Sequence, residues 1–234
     1  MFNRKIKNLK QISSNITLED NEKNLIFFSK ILQNIEYFIF FGTLLGITRQ
    51  KGLIDGDDDI DFYVNFKDRP KLIKDLKNNN IEVDLTLEVN KNDRFLQVKR
   101  NIDNKNLIVD FYFYETDIEN DNIIEKWNFE GGTNNPLKHL RIPKIFIFPL
   151  KKILFKNVEI AVPKESESIC EFLYGINWKK KLKKDKEYKI KVIDGIPHFF
   201  FIKKFLFFKR LVLQAEHQNH MKNIIIEKLK KQLL

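Results

Sequence analysis

Apolar and polar positions follow two periods along this chain, and the change of period marks its elements. Over residues 18–35, Leu25, Phe28, Ile31, Leu32 and Ile35 recur at helical spacing, and Thr17 followed by Asp20 predicts the cap. Residues 37–41 are a short apolar run that reads as a buried strand. Gly42-Thr43 breaks it, and residues 44–50 read as a helical turn or short helix. Residues 59–64 read as a strand, and Arg69-Pro70 opens a second helix that ends in Asn78-Asn79-Asn80. Ile81, Val83, Leu85 and Leu87 alternate as a strand does, and residues 95–99 and 107–114 predict two more. This order predicts an α/β (α+β) fold, a mixed β-sheet flanked by helices.

Further along, residues 128–136 are loop-like, and residues 145–148 and 153–162 are expected to pair as strands. Residues 165–174 read as a helix closed by Gly175, and the chain from Phe199 onward reads as helical. No linker stands out. The expected organisation is a domain over residues 1–180 with a basic, aromatic-rich helical extension, residues 181–234, packed on it.

Composition sharpens this picture. The 234 residues are 43% hydrophobic, enough for a sizeable core, and 22 phenylalanines predict that aromatic packing dominates it. The one cysteine, Cys170, excludes an intrachain disulfide and a cysteine-based zinc site. The N-terminus leads into polar sequence, and the longest uncharged apolar stretch is far short of the roughly 20 residues of a membrane span. A soluble, cytoplasmic protein is expected. The net charge of +10 is uneven: residues 1–120 carry 18 basic and 20 acidic residues, so the whole excess lies in the C-terminal half. Such asymmetry suits a polyanionic partner, and equally a solvated basic face. Residues 199–210 mix aromatics with cations, a pattern that fits peripheral contact with an anionic membrane as well as a core helix.

The chemistry concentrates in the run Asp57-Asp58-Asp59-Ile60-Asp61. Side chains alternate across a strand, so Asp59 and Asp61 share one face while Ile60, Phe62 and Val64 share the other. Their α carbons are then about 7 Å apart, close enough for both carboxylates to converge on one hard cation. Asp110 is the only charge in the apolar run 107–113, and a buried acid there needs a partner: a metal cluster, or a role as base. Gly42 lets backbone approach a phosphate, and Thr43 adds a hydroxyl at a helix N-terminus. An EF-hand starting at Asp55 fails, because Ile60 stands where glycine is required and Phe66 where glutamate is.

Gly42-Thr43-Leu44-Leu45-Gly46-Ile47-Thr48-Arg49, Lys51-Gly52 and the acidic run together closely resemble the motifs of the LicD/fukutin family, part of the nucleotidyltransferase superfamily. The resemblance continues through Val109-Asp110-Phe111, Phe148-Pro149-Leu150 and Tyr174-Gly175-Ile176-Asn177-Trp178, and spans roughly residues 25–180. It implies a nucleotidyltransferase-like fold. It also implies transfer of a phosphorylated small group, phosphocholine or ribitol phosphate, from a CDP-linked donor to a hydroxyl of a glycan of the capsule, lipooligosaccharide or teichoic-acid type. By matching positions, Asp59 and Asp61 would hold magnesium or manganese, with Asp57 nearby and able to bind it through water. Asp110 would be the base or a further ligand. Gly42, Thr43, Arg49, Lys51 and Asp58 would serve the donor phosphates. Lys138, His139, Arg141, Tyr174 and Trp178 are candidates for nucleotide or acceptor contacts.

Two positions depart from the family pattern: Gly56 where it usually has tryptophan, and Gln50 where it often has histidine. Neither removes a carboxylate. The zinc site of animal fukutin-related members has no counterpart here, given the single cysteine. Two other readings compete. A nucleotidyltransferase acting on nucleic acid would show strongly salt-dependent RNA or DNA binding, and no nucleic-acid partner is expected here. A catalytically inactive glycan- or membrane-binding scaffold would have no need of Asp59, Asp61 and Asp110.

Overall fold

The computed structural model describes residues 16–83, 93–127, 139–181, 188–193 and 196–201. Helix α1, Leu18–Ile31, starts as expected: Thr17 and Asp20 form a reciprocal capping box, and the 3-10 turn Leu32–Asn34 ends it. Strand β1, Tyr37–Ile39, runs directly into helix α2, Phe41–Gln50. Gly42 and Thr43 therefore lie inside the first turn of a helix that begins earlier than expected. Strand β2, Asp59–Asn65, follows, then helix α3, Arg69–Asn78, and β3, Glu82–Val83. Strands β4, Phe95–Ile102, and β5, Lys105–Asp117, form a long hairpin.

The main sheet runs β1-β2-β5-β4-β3, with β2 and β5 parallel and the other pairs antiparallel. Strands β6, Asn122–Glu125, and β7, Leu140–Pro143, extend it from the far end of β5. The expected mixed sheet is thus present, with β5 at its centre.

Both faces of that sheet are buried. On one, Phe62 stacks on Phe111, α1 covers Phe111 with Phe28, and α3 sets Arg69 over the Phe113 ring. On the other, Tyr63 stacks on Tyr112 and Tyr114, and Phe40 and Phe41 at the start of α2 pack on Tyr63. Asp110 lies inside this sheet, with β5 flanked by β2 and β4, and is 5% exposed.

Three expectations change beyond residue 140. Residues 145–148 are not a strand: Lys144–Ile147 is a short helix, α4, which buries the adjacent Phe146 and Ile147. A four-residue apolar run has no period with which to tell the two apart. The strand pair is instead β8, Lys151–Phe155, with β9, Val158–Val162, because the left-handed Lys156 (φ +54°) folds the segment at its middle. Helix α5, Ser166–Tyr174, ends where expected at Gly175, whose φ of +81° suits glycine. Strands β10, Tyr188–Ile193, and β11, Ile196–Phe201, form a hairpin, so residues 199–201 are strand and not helix; β11 lies against α5 and β7. The expected elements at residues 84–87, 128–136 and 202–234 lie outside the described residues. Among those described, no helix is long and apolar enough to cross a membrane.

Candidate metal centre

Register brings the acids together. Asp61 on β2 stands beside Asp110 on the parallel β5, and Gln97 on β4 stands beside Asp110 on its other side. Asp59 shares the face of Asp61 by alternation. The result is a cluster in which one carboxylate oxygen each of Asp59, Asp61 and Asp110 lies within 4.8 Å of the others. Asp57, Asp58 and Asp59 form a second group by the same measure, so Asp59 joins the two.

Helix α2 delivers its first turn to this cluster. The Gly42 N–H donates to Asp61 Oδ2 at 3.1 Å, and the Asp61 N–H donates to Thr43 Oγ1 at 2.9 Å. The Phe40 N–H donates to the Asp61 carbonyl at 3.1 Å. The partly positive N-terminus of α2 therefore faces a carboxylate. Phe41 has a φ of +40°, a strained value for a residue with a side chain. Its ring, packed on Tyr63 and Tyr112, holds it there.

These contacts revise the roles of Gly42 and Thr43. The close approach at Gly42 is to the Asp57 side chain, whose Oδ2 would sit 2.6 Å from an added Cβ and would have to move. Thr43 is 1% exposed and its hydroxyl oxygen accepts from the backbone of β2. The phosphate contact expected of Thr43 gives way to a scaffold role, because burial leaves its hydroxyl out of reach of a ligand. The acidic loop is tied down from outside by Asn21 of α1, whose Nδ2 donates to the Asp57 carbonyl at 2.8 Å.

The donor set suits a hard cation. Burial pushes the Asp61 carboxyl well above its ordinary range, and the Asp59, Asp110 and Asp57 carboxylates push it the same way, against the Gly42 N–H. Three convergent oxygen donors with mutual repulsion are what a hard divalent cation neutralises. Cys170 takes no part: it is buried on α5, with its thiol pushed up to about 12 by burial.

The outer candidates scatter. Arg49 lies seven residues beyond Gly42, about 10 Å along the axis of α2, with its Nη2 on Gln50 Oε1 at 3.4 Å. Lys51 is exposed at the C-cap of that helix. Arg141 pairs with Ile124, which pairs with Glu115, so by alternation it sits on the sheet face away from Asp110. That overturns its expected place in the site. Trp178 is 6% exposed, packed in the core with Lys179 over its ring, so it is no stacking platform. His139 is buried beside the start of β7, and Tyr174 is half-buried at the end of α5. Lys138 lies outside the described residues.

Sequence reasoning missed Gln97, Tyr63, Tyr112 and Glu125. Gln97 donates from Nε2 to Asp110 Oδ1 at 2.7 Å. Tyr63 and Tyr112 pave the sheet two residues beyond the acids, and Phe95 joins them in register, stacked on Trp127 with ring centroids 4.7 Å apart. Glu125, fully buried opposite Tyr114, accepts from the Trp127 N–H. A polar residue between Leu96 and Val98 was the available sign for Gln97, but its partner is readable only once the register is known.

Solved structures similar to this chain include the crystal structure of the lincosamide antibiotic adenylyltransferase LnuA with lincomycin bound. It is 14% identical, covers 68% of this chain and 89% of its own, and has a TM-score of 0.45. No curated protein matches the chain. The family described as LicD/FKTN/FKRP, nucleotidyltransferase domain, matches residues 34–165, a span that holds α2, the acidic loop, β2 and β5. With more than half its length matched and the carboxylates assembled on the matched strands, the chain belongs to the LicD/FKTN/FKRP nucleotidyltransferase-domain family and is a transferase.

Proposed function

We propose that this chain transfers a phosphorylated small group, namely phosphocholine, ribitol phosphate or a similar alditol or amino-alcohol phosphate, from a CDP-linked donor to a hydroxyl of a cell-surface glycan. The observation that supports this reading most is the convergence of the Asp59, Asp61 and Asp110 carboxylates within 4.8 Å in a chain of this family. In this reading Asp59 and Asp61 would hold magnesium or manganese, with Asp57 as a further carboxylate beside them. The cation, when bound, neutralises charge on the donor diphosphate.

The acceptor oxygen attacks the phosphorus that carries the small group. A P–O bond to the acceptor forms, the anhydride P–O bond breaks, and CMP leaves. Asp110 takes the hydroxyl proton if it is the base; as a cation ligand it leaves that proton to water. Little covalent work falls to the protein, so positioning and charge stabilisation dominate. The Gly42 N–H and the Thr43 hydroxyl fix Asp61 for that purpose. Asp58, Arg49, Lys51, His139 and Tyr174 stay in the proposal as outer contacts to donor or acceptor. Residues 1–180 would form the catalytic domain, and the basic segment beyond them would bring it to the cytoplasmic face of an anionic membrane, where lipid-linked acceptors are presented.

Thermal shift with magnesium or manganese and a panel of CDP conjugates tests the reading, since a ligand that binds the folded state raises its melting temperature. A CDP donor is expected to stabilise the chain only with metal present, and Asp61→Asn is expected to abolish the effect. Stabilisation without metal, or an unaffected variant, would sink it.

A further inference from the structure

We infer that Gln97 is the positioning residue of Asp110: its side-chain amide holds that carboxylate in the orientation in which it meets Asp59 and Asp61. This rests on the reading that the carboxylates bind a divalent cation. Gln97 is 6% exposed on β4, in register with Asp110, and its Nε2 is 2.7 Å from Asp110 Oδ1. Its neighbours Leu96 and Val98 are each 1% exposed, so this stretch of β4 is core, and packing alone would be served by an apolar side chain. A buried amide is kept where its hydrogen bond has a purpose or a partner that needs it. The partner here is a carboxylate whose terminal torsion is soft, so one fixed donor sets the plane of both its oxygens.

The chemistry of the donor matters as much as its place. Lysine or arginine at 97 would neutralise Asp110 and compete with a cation, whereas an amide donates a hydrogen bond and leaves the negative charge to the ligand. Asp61 is treated the same way. One of its oxygens accepts from the Gly42 N–H, another uncharged donor. The two most buried acids of the cluster are thus each aimed by a neutral amide, one from the backbone of α2 and one from the side chain of Gln97.

The test is Mn²⁺ binding to the full chain by isothermal titration, with wild type, Gln97→Met and Gln97→Asn, beside denaturant unfolding of each metal-free protein. Gln97→Met keeps the volume and removes the donor. We expect Mn²⁺ affinity to fall about 10- to 100-fold, the usual effect of losing such a partner, while the metal-free protein stays folded at the titration temperature and unfolds at a modestly lower denaturant concentration, because Asp110 loses a donor. Gln97→Asn, which retracts the amide by one methylene, should fall between, and it carries the test if Gln97→Met does not fold. Wild-type affinity in both variants would overturn the role of Gln97 and leave the metal centre standing. A wild-type chain that binds no Mn²⁺ would overturn both.

Discussion

The two faces of β2 and β5 come from the same residues in alternation, yet they are built for different ends. Where the two strands pair, one face is apolar: Ile60, Phe62, Val64, Val109, Phe111 and Phe113 are all 0–1% exposed and lie under α1 and α3. The other begins with Asp59, Asp61 and Asp110 and becomes aromatic two residues later at Tyr63 and Tyr112. The first face shows what the fold needs. The second shows what it tolerates, because buried carboxylates held side by side repel one another and lose hydration. That cost is offset in part by neutral donors from α2 and β4, and the remainder is the reason to expect a cation.

Substitutions on the two faces should therefore separate stability from activity. The largest effect is expected from Asp61→Asn, which should cut transfer by about 10²–10³-fold or more while the metal-free protein unfolds at the same or a higher denaturant concentration. A large loss of metal-free stability would mean that Asp61 serves the core. Phe62→Ala on the other face should do the reverse. It should cost about 3–5 kcal/mol in denaturant unfolding, with metal affinity retained in whatever fraction stays folded.

A third contrast comes from pH. The folded-state pKa of Asp61 lies above its ordinary value, so the native chain holds that proton more tightly than the unfolded one does. The stability it contributes is present below the ordinary aspartate range near pH 4 and is lost as pH rises through the raised value. Metal-free unfolding followed against pH should show this decline, and Mg²⁺ should reverse it at the upper end. A decline that Mg²⁺ leaves untouched would separate the burial of Asp61 from cation binding.

Gly42→Ala is a finer probe, since its Cβ would meet Asp57 Oδ2 at 2.6 Å. The Asp57 carboxylate must swing away, and Mn²⁺ affinity should drop about tenfold, the low end for a disturbed supporting contact. The smallest effect is expected at Thr17→Ala, far from either question: loss of the capping box should cost about 1 kcal/mol of stability and no activity.

What could be read in advance divides along the same line. Alternation at Asp59–Val64 and the lone acid at Asp110 were sufficient to place the carboxylates, because strand geometry alone decides which side chains share a face. Capping chemistry placed α1 for the same local reason. The partners of the acids were not legible. Gln97 meets Asp110 through the register of a hairpin, Asn21 meets Asp57 across 36 positions, and Tyr63 is buried on the acid face because α2 covers it. Short apolar runs also misled: residues 145–148 and 199–201 carry no period that tells helix from strand, and tertiary packing made the choice. Trp178 and Arg141 suited a ligand by residue type, but the core took one and the far face of the sheet the other.

In the proposed function Asp59, Asp61 and Asp110 act together as a cation-dependent seat for a CDP-linked donor. Isothermal titration of CDP-ribitol and CDP-choline into the full chain, with Mg²⁺ and with chelator, decides whether they do. Saturable binding of a CDP conjugate that needs Mg²⁺ and disappears in Asp61→Asn is the predicted result. Equal binding with chelator, or binding that survives Asp61→Asn, would contradict it.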